Sequence, residues 1–243
     1  MLPVAILAGG LATRLRPLTE KIPKSLVELN GEPFIVHQLR LLYDKGIRRV
    51  VLCVGHLGEM LERTIGDGHD WGVQVDYSYD GDVPLGTAGA VRQALPRLGD
   101  AFFVLYGDSY LACDYSAVAR EFFAAGQPAL MTVFHNEGKW DASNVEFLSG
   151  RIVAYSKKER NARMRYIDYG LGAFRAEVFQ RLPLRKAYDL ADVYQEVLSS
   201  GQLAGFEVEQ RFYEIGTPEG LAETAEFLKR GTVRARAESP RNH

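Results

Sequence analysis

Cysteine is scarce in this chain, with two in 243 residues. Cys53 and Cys113 lie far apart without metal-ligand spacing, so a cysteine-built metal centre is excluded. Cys53, inside "VVLCVG", reads as a small buried hydrophobe. An excess of one charge is missing too. A net charge of −2 gives no electrostatic footprint for DNA or RNA. No apolar run approaches the ~20 residues of a membrane span, and no signal-peptide pattern precedes the first apolar stretch. The expectation is a cytoplasmic protein with no nucleic-acid or membrane partner. The five histidines, at 37, 56, 69, 135 and 243, belong to no motif, and no Ser-His-Asp arrangement is suggested. Internal repeats and low-complexity segments are likewise missing.

What is present is the composition of an ordinary globular protein, long enough to bury one sizeable core. "PVAILAG" (3–9) and "RRVVLCVG" (48–55) are continuous apolar runs, as expected of strands buried on both faces of a parallel sheet. Between them "EPFIVHQLRLLYDKG" has helical spacing and stops at Gly46. "LGEMLERTIG" reads as a short helix and "VQVDYSY" (73–79) as a strand. "TAGAVRQAL" reads as a helix capped by Thr87, "AFFVLYGD" (101–108) as a buried strand ending in a carboxylate, and 116–125 as a helix before the strand "PALMTVFH". The expectation is an α/β fold: a doubly wound, mostly parallel sheet with helices on both faces.

After residue 140 the texture becomes β-rich. "NVEFLSGRIVAYSKK" reads as a hairpin turning at Ser149-Gly150, and "YIDYGLGAF" and "LAGFEVEQ" as strands. Helices are expected near 175–182 and 190–200, and "TPEGLAETAEFLKR" closes the fold with Thr217 as cap and Pro218 in first position. No linker divides the halves. The expectation is one domain over 1–230, with a mobile tail over 231–243 that lacks apolar anchors.

The first strand runs into "LAGGLATRLRPLTEKIPKSL", a loop carrying Arg14, Arg16, Lys21 and Lys24. Ligands of open α/β sheets sit at the carboxyl ends of strands. There Gly9 and Gly10 let the backbone approach a ligand, and successive amides cradle an anion. Thr13 adds a hydroxyl, Arg14 a bidentate fork and Lys24 a point charge. The P-loop and the dinucleotide fingerprint both fail to match. The alternative is a solvated loop whose glycines merely turn the chain.

The stretches "LAGGLATRLRPLT…PKSL", "PLGTAGAV" (84–91), "YGDSY" (106–110) and "YEIGTPEGL" (213–221) stand in order. Together they resemble the motifs of the sugar-1-phosphate nucleotidyltransferases, the NDP-sugar pyrophosphorylases, over nearly the whole chain. "WDASNV" and "IDYGLG" are most similar to the bacterial branch acting on heptose or hexose 1-phosphates, guanylyltransferases among them. The resemblance implies a Rossmann-like sheet and the reaction of a nucleoside triphosphate with a sugar 1-phosphate, with Mg²⁺. The nucleotide half would be about 1–135 and the β-rich sugar-phosphate half about 136–230.

It further implies roles by residue. Leu7 and Ala8 would bind the nucleotide, and Gly9, Gly10 and Thr13 its phosphates, with Arg14 on the departing pyrophosphate and Lys24 beside the α-phosphate; these two are the catalytic candidates. Gly86, Thr87 and Gly89 would meet the nucleoside, though a tightly packed helix start also explains those glycines. Asp108 would bind nucleotide-associated Mg²⁺, helped by Glu214 where the family commonly has aspartate. Lys157 or Lys158 would meet the sugar phosphate, and Asn144, Asp168 and Gly170 the sugar. The chemistry is self-consistent. The attacking phosphate is mostly dianionic at neutral pH, with a second pKa of ~6, so no general base is needed, only charge neutralisation and alignment.

Three further readings stay open: a uridylyltransferase of the same family, a non-catalytic nucleotide- or sugar-binding subunit, and a glycosyltransferase. Intact Arg14, Lys24 and Asp108 argue against the second, and the absence of an Asp-x-Asp motif against the third. Base, sugar and oligomeric state stay open, a homo-oligomer included.

Overall fold

The computed structural model describes residues 1–10, 13–15, 17–136 and 138–238, the side chains of Thr13 and of 231–238 excepted. Arg16 therefore lies outside the described residues. The chain opens with β1 (Val4–Leu7), crosses the basic loop and forms a small ribbon from β2 (Glu28–Leu29) and β3 (Glu32–Pro33). Then come α1 (Phe34–Asp44), β4 (Arg49–Val54), α2 (Gly58–Ile65), β5 (Gln74–Tyr79), α3 (Gly86–Leu98) and β6 (Ala101–Tyr106). The chain continues through β7 (Ser109–Tyr110), α4 (Tyr115–Ala125), β8 (Ala129–His135), β9 (Val145–Leu148), β10 (Arg151–Tyr155) and β11 (Tyr166–Arg175). It closes with α5 (Glu177–Gln180), α6 (Leu190–Ser199), β12 (Leu203–Val208), β13 (Tyr213–Glu214) and α7 (Pro218–Glu238).

Nine strands share one sheet. β1 lies between β4 and β6, and β5 flanks β4, all parallel. β11 joins β6 antiparallel and carries the sheet on to β8, which pairs parallel with β12. The β9–β10 hairpin attaches where Val145 meets Tyr166 at the start of β11. This is the doubly wound, mostly parallel α/β sheet expected, with antiparallel β11 as its join.

The continuous apolar strands follow from burial on both faces. Ala5, Val51, Cys53, Phe102 and Val104 pack with α3, α5 and α6, whereas Val4, Ile6, Leu52, Phe103 and Leu105 pack with α1, α2 and α4. Successive side chains of a strand point to opposite faces, so a strand covered twice must be apolar throughout. Each valine, leucine, isoleucine or phenylalanine among them stabilises the fold by about 1.5–3 kcal/mol through burial.

Several local readings hold, and others need correction. Ser149 and Gly150 turn the hairpin with φ of 50° and 78°, the paired positive φ of a tight two-residue turn. Thr87 does not cap α3. The helix starts at Gly86, the Ala88 amide donates to the Tyr188 carbonyl at 2.9 Å, and the Thr87 hydroxyl accepts the Leu190 amide at 2.6 Å. Thr87 thus serves the start of α6 from outside that helix. The helix expected at 175–182 shortens to α5 before Pro183, which cannot continue a helix. α7 runs past Arg230 to Glu238, because Gly231 costs a helix only about 1 kcal/mol; 239–243 lie outside the described residues. Among the described residues no helix is long and apolar enough to cross a membrane.

Candidate functional site

The site is built where the ends of β1 and β6 meet. The Gly107 amide donates to the Leu7 carbonyl at 3.0 Å, and a Cβ on Gly107 would stand 2.6 Å from that same oxygen. Only glycine permits this approach of the two loops. The far end of the basic loop returns here as a single 3-10 turn, Lys24–Leu26, after Pro23. Lys24 Nζ lies 2.6 Å from Asp108 Oδ2, and the Ser25 hydroxyl donates to the Gly107 carbonyl at 3.4 Å.

β13 completes this corner. It pairs antiparallel with β7, placing Glu214 opposite Ser109, and the Ile215 amide donates to the Asp108 carbonyl at 2.9 Å. Glu214 Oε1 and Lys24 Nζ both lie within 3.6 Å of where a Gly216 Cβ would stand. One ammonium and two carboxylates therefore converge. The Glu214 carboxyl is held above its ordinary range by burial first and by the Asp108 charge second, with Lys24 and Arg14 opposing. Arg14 is exposed in the Thr13–Leu15 turn.

Two cavities meet at this corner. The first, of about 340 Å³, is lined by Leu7, Ala8, Gly9, Gly10, Lys24, Asp80, Gly86 and Thr87 among others. Cys53 is on its wall as well, with its thiol pushed up to about 12 by burial. The second, of about 220 Å³, is bounded by Asn144, Lys157, Asp168, Gly170, Asp141, Phe212 and Glu214. Tyr106 and Asp108 belong to both walls.

The second cavity opens through an irregularity in β11. Its register against β8 shifts between Asp168 and Gly172, where Gly170 adopts φ +95°, a backbone that favours glycine. A Cβ on Gly170 would touch the Tyr106 ring at 3.4 Å. Asp168 is half-buried, accepts the Gly170 amide at 3.1 Å, and gives its own amide to Asn144 Oδ1 at 2.9 Å. Burial raises the Asp168 carboxyl, and Lys157 opposes the shift. Lys157 Nζ stands 3.5 Å from the Tyr106 hydroxyl.

Most of the residues singled out in the sequence thus gather around one corner. Lys158 is not among the lining residues; its side chain is exposed and its amide donates to the Ser156 hydroxyl at 3.2 Å. Both lysines lie exposed in the bend after β10, and only Lys157 lines the second cavity. Gly89 is not on a cavity wall either. It is buried in α3, where a Cβ would lie 2.7 Å from the Lys186 carbonyl, so close packing accounts for it. Arg14 lies outside both linings, and the Thr13 side chain lies outside the described residues. The sequence reading missed Asp80, Tyr106, Ser109, Asp141 and Phe212. Asp80 and Tyr106 carry one usable signal, since each ends or follows a sheet strand.

Among the described residues no group of three or more His, Cys, Asp or Glu side chains is placed to hold a metal. The Asp108–Glu214 pair fits Mg²⁺ nonetheless. That hard cation needs one or two carboxylates plus phosphate oxygens, and Glu214, destabilised by burial and by Asp108, is the acceptor a cation would relieve.

Residues 4–231 match the family model described as nucleotidyl transferase. The mannose-1-phosphate guanylyltransferase catalytic subunit beta of Xenopus tropicalis is 31% identical over 219 residues, covering 88% of this chain and 61% of that protein. The chain thus spans about three fifths of the length of that relative. A Bacillus anthracis structure in complex with a sucrose superposes with a TM-score of 0.83 at 22% identity, covering 93% of this chain and 95% of that one. HddC from Yersinia pseudotuberculosis, complexed with GMP-PN, superposes with a TM-score of 0.76 at 23% identity, covering 94% and 100%. At those identities the two structures speak for the fold.

Proposed function

The chain belongs to the nucleotidyl transferase family, and from that premise we propose that it transfers a nucleotidyl group from GTP to a hexose or heptose 1-phosphate. An oxygen of the sugar phosphate attacks the α-phosphorus, the bond to the bridging β-phosphate oxygen breaks, and pyrophosphate leaves. The observation that carries this reading is the Lys24–Asp108 contact of 2.6 Å at the junction of two cavities. One cavity takes the nucleotide, the other the sugar phosphate, and the bond is made where they meet.

The residues divide the work accordingly. Gly9 and Gly10 amides, with Thr13 and Arg14, hold the phosphates and the departing pyrophosphate. Lys24 neutralises charge gathering on the α-phosphate, which a preorganised donor does without reorganisation cost. Gly86 and Thr87 border the nucleoside. Lys157 faces the sugar phosphate across Tyr106, while Asn144, Asp168 and Gly170 face the sugar hydroxyls. Asp108 and Glu214 would hold Mg²⁺, which when bound supplies further neutralisation of the phosphates. We place the reaction in the cytoplasm.

The test is pyrophosphate release with Mg²⁺, crossing the four common nucleoside triphosphates and dTTP against hexose and heptose 1-phosphates. Release with one pair supports the reading. Silence across the panel, with nucleotide still bound, would favour a non-catalytic binding role.

A further inference from the structure

β8 and β12 run parallel side by side, with Phe134 opposite Val208, and the segments that leave their ends both line the second cavity. Asp141 and Asn144 come from the loop after β8; Phe212 and Glu214 come from the segment after β12. The buried Asn136 closes the first loop on itself. Its side-chain amide donates to the Asp141 carbonyl and to Ser143 Oγ at 3.1 Å, and its Oδ1 accepts the Trp140 amide at 3.2 Å. The second segment is extended, so successive side chains point opposite ways. Phe212 and Glu214 face the cavity. Arg211 and Tyr213 turn toward α7, where Arg211 pairs with Glu223 and the Tyr213 ring stacks on Phe227 at 4.0 Å.

A contact outside the cavity lining joins the two segments. The Arg211 guanidinium carbon lies 3.3 Å from the centre of the Trp140 ring and 4.7 Å from that of Tyr213. A planar, delocalised cation over an indole face is a strong form of this attraction. Arg211 Nε is buried and has no hydrogen-bond partner among the described residues. A buried donor left unpaired lowers stability, so stability alone does not account for an arginine here. Placement does. Trp140 directly precedes Asp141, and Arg211 directly precedes Phe212, so their contact sets how far apart the two sides of the cavity stand.

We propose that Arg211 is a positioning residue for the sugar-phosphate side of the reaction, an inference that rests on the nucleotidyl-transfer reading above. Stacked on Trp140 and tied to Glu223, it fixes the loop bearing Asp141 and Asn144 against the strand bearing Glu214. Neither Arg211 nor Trp140 lines either cavity. Their effect passes through the residues next to them, and it falls on the second cavity while the first is left as it is.

The test is steady-state pyrophosphate release by the full chain with Mg²⁺, using the nucleotide and sugar 1-phosphate pair that wild type accepts. The variants are Arg211→Met, which keeps the apolar stem and removes the guanidinium, Arg211→Lys, Trp140→Ala, and Arg211→Met combined with Trp140→Ala. Arg211→Met and Trp140→Ala are each expected to raise the KM for the sugar 1-phosphate about fivefold or more, the scale of a shielded cation–π contact. The KM for the nucleotide should stay within about twofold of wild type. The double variant is expected to match the worse single one, since both remove the same contact. Arg211→Lys keeps a charge near the ring without the planar face and should fall between. Trp140 is already 44% exposed, so its truncation spares the fold and decides the matter should Arg211→Met fail to fold. An unchanged KM for the sugar 1-phosphate in Trp140→Ala would overturn the proposal and leave nucleotidyl transfer standing. Equal rises for both substrates would overturn it too, as a general loss of structure, and so would losses that multiply in the double variant, as independent roles. A wild type that releases pyrophosphate with no pair overturns the transfer reading and this inference with it.

Discussion

Lys24 and Asp108 stand 84 positions apart in the chain and 2.6 Å apart in space, ammonium against carboxylate. The contact fixes the far end of the basic loop at the end of β6 and leaves a cation where the two cavities join. Lys24→Ala is expected to lower turnover by about 10²–10³, the usual loss of one preorganised donor. The side chains keep 16% and 36% exposure, so solvent screening limits the stabilisation to about 1 kcal/mol. In a chain of this size that is a melting shift of about 2–4 °C. Pyrophosphate release and thermal denaturation separate the two effects. Turnover within a few-fold of wild type would refute the role given to Lys24.

Glu214 carries a pH and metal signature. Burial and then the Asp108 charge raise its carboxyl above 4.5. A carboxyl raised on folding favours the native state fully only below its unfolded value, and that contribution is lost as pH rises through the folded value. At neutral pH the charged Glu214 therefore costs stability, and Glu214→Gln should melt higher than wild type without Mg²⁺. The gap should close on acidification below about 4.5. Added Mg²⁺ should stabilise wild type and leave the glutamine variant nearly unmoved. A variant that melts no higher at pH 7 would contradict this account of the corner.

Gly107 tests how tightly the strand ends are packed. A Cβ there would stand 2.6 Å from the Leu7 carbonyl and 3.1 Å from the Ala8 Cα, both backbone atoms that cannot swing aside. Gly107→Ala is expected to destabilise by about 1–3 kcal/mol, the usual cost of overpacking. It should also weaken nucleotide binding, because it parts the loop bearing Gly9 from the turn bearing Asp108. Denaturant unfolding and nucleotide titration of one preparation would check both, and unchanged affinity would show that the loop tolerates separation.

Where the chemistry was legible in the sequence, its residues were neighbours in the chain. Gly9 with Gly10, Gly107 with Asp108, and the Gly86–Thr87 pair each advertise a loop at a strand or helix end. The apolar runs of β1, β4 and β6 likewise announce strands covered on both faces. Asp80 offered only the faint signal of the strand end before it; its place on the cavity wall follows from the lateral order β6-β1-β4-β5, which only pairing reveals. The break in β11 at Gly170 also depends on its register with β8. The Thr87 hydroxyl satisfies any nearby amide, and the one it meets, at Leu190, is 103 residues away. Local propensity pointed to a cap on α3, and tertiary contact assigned the group to α6.

Lys157 and Lys158 offer the sharpest separation of a site residue from its neighbour. Chemically they are identical and both are exposed in the bend after β10, but only Lys157 stands near Tyr106, 3.5 Å from the phenol oxygen and 4.0 Å from Asp189 Oδ1. Lys158 lines neither cavity. Lys157→Ala is expected to raise the KM for the sugar phosphate by about tenfold, the scale of one charge-assisted hydrogen bond, with little change for the nucleotide. Lys158→Ala should match wild type within a factor of about two, since surface substitutions away from special features stay within about 0.5 kcal/mol. Because net charge changes equally in both variants, a general electrostatic effect would move both KM values together. A shift confined to Lys157 would instead mark the second cavity as the place where the sugar phosphate binds.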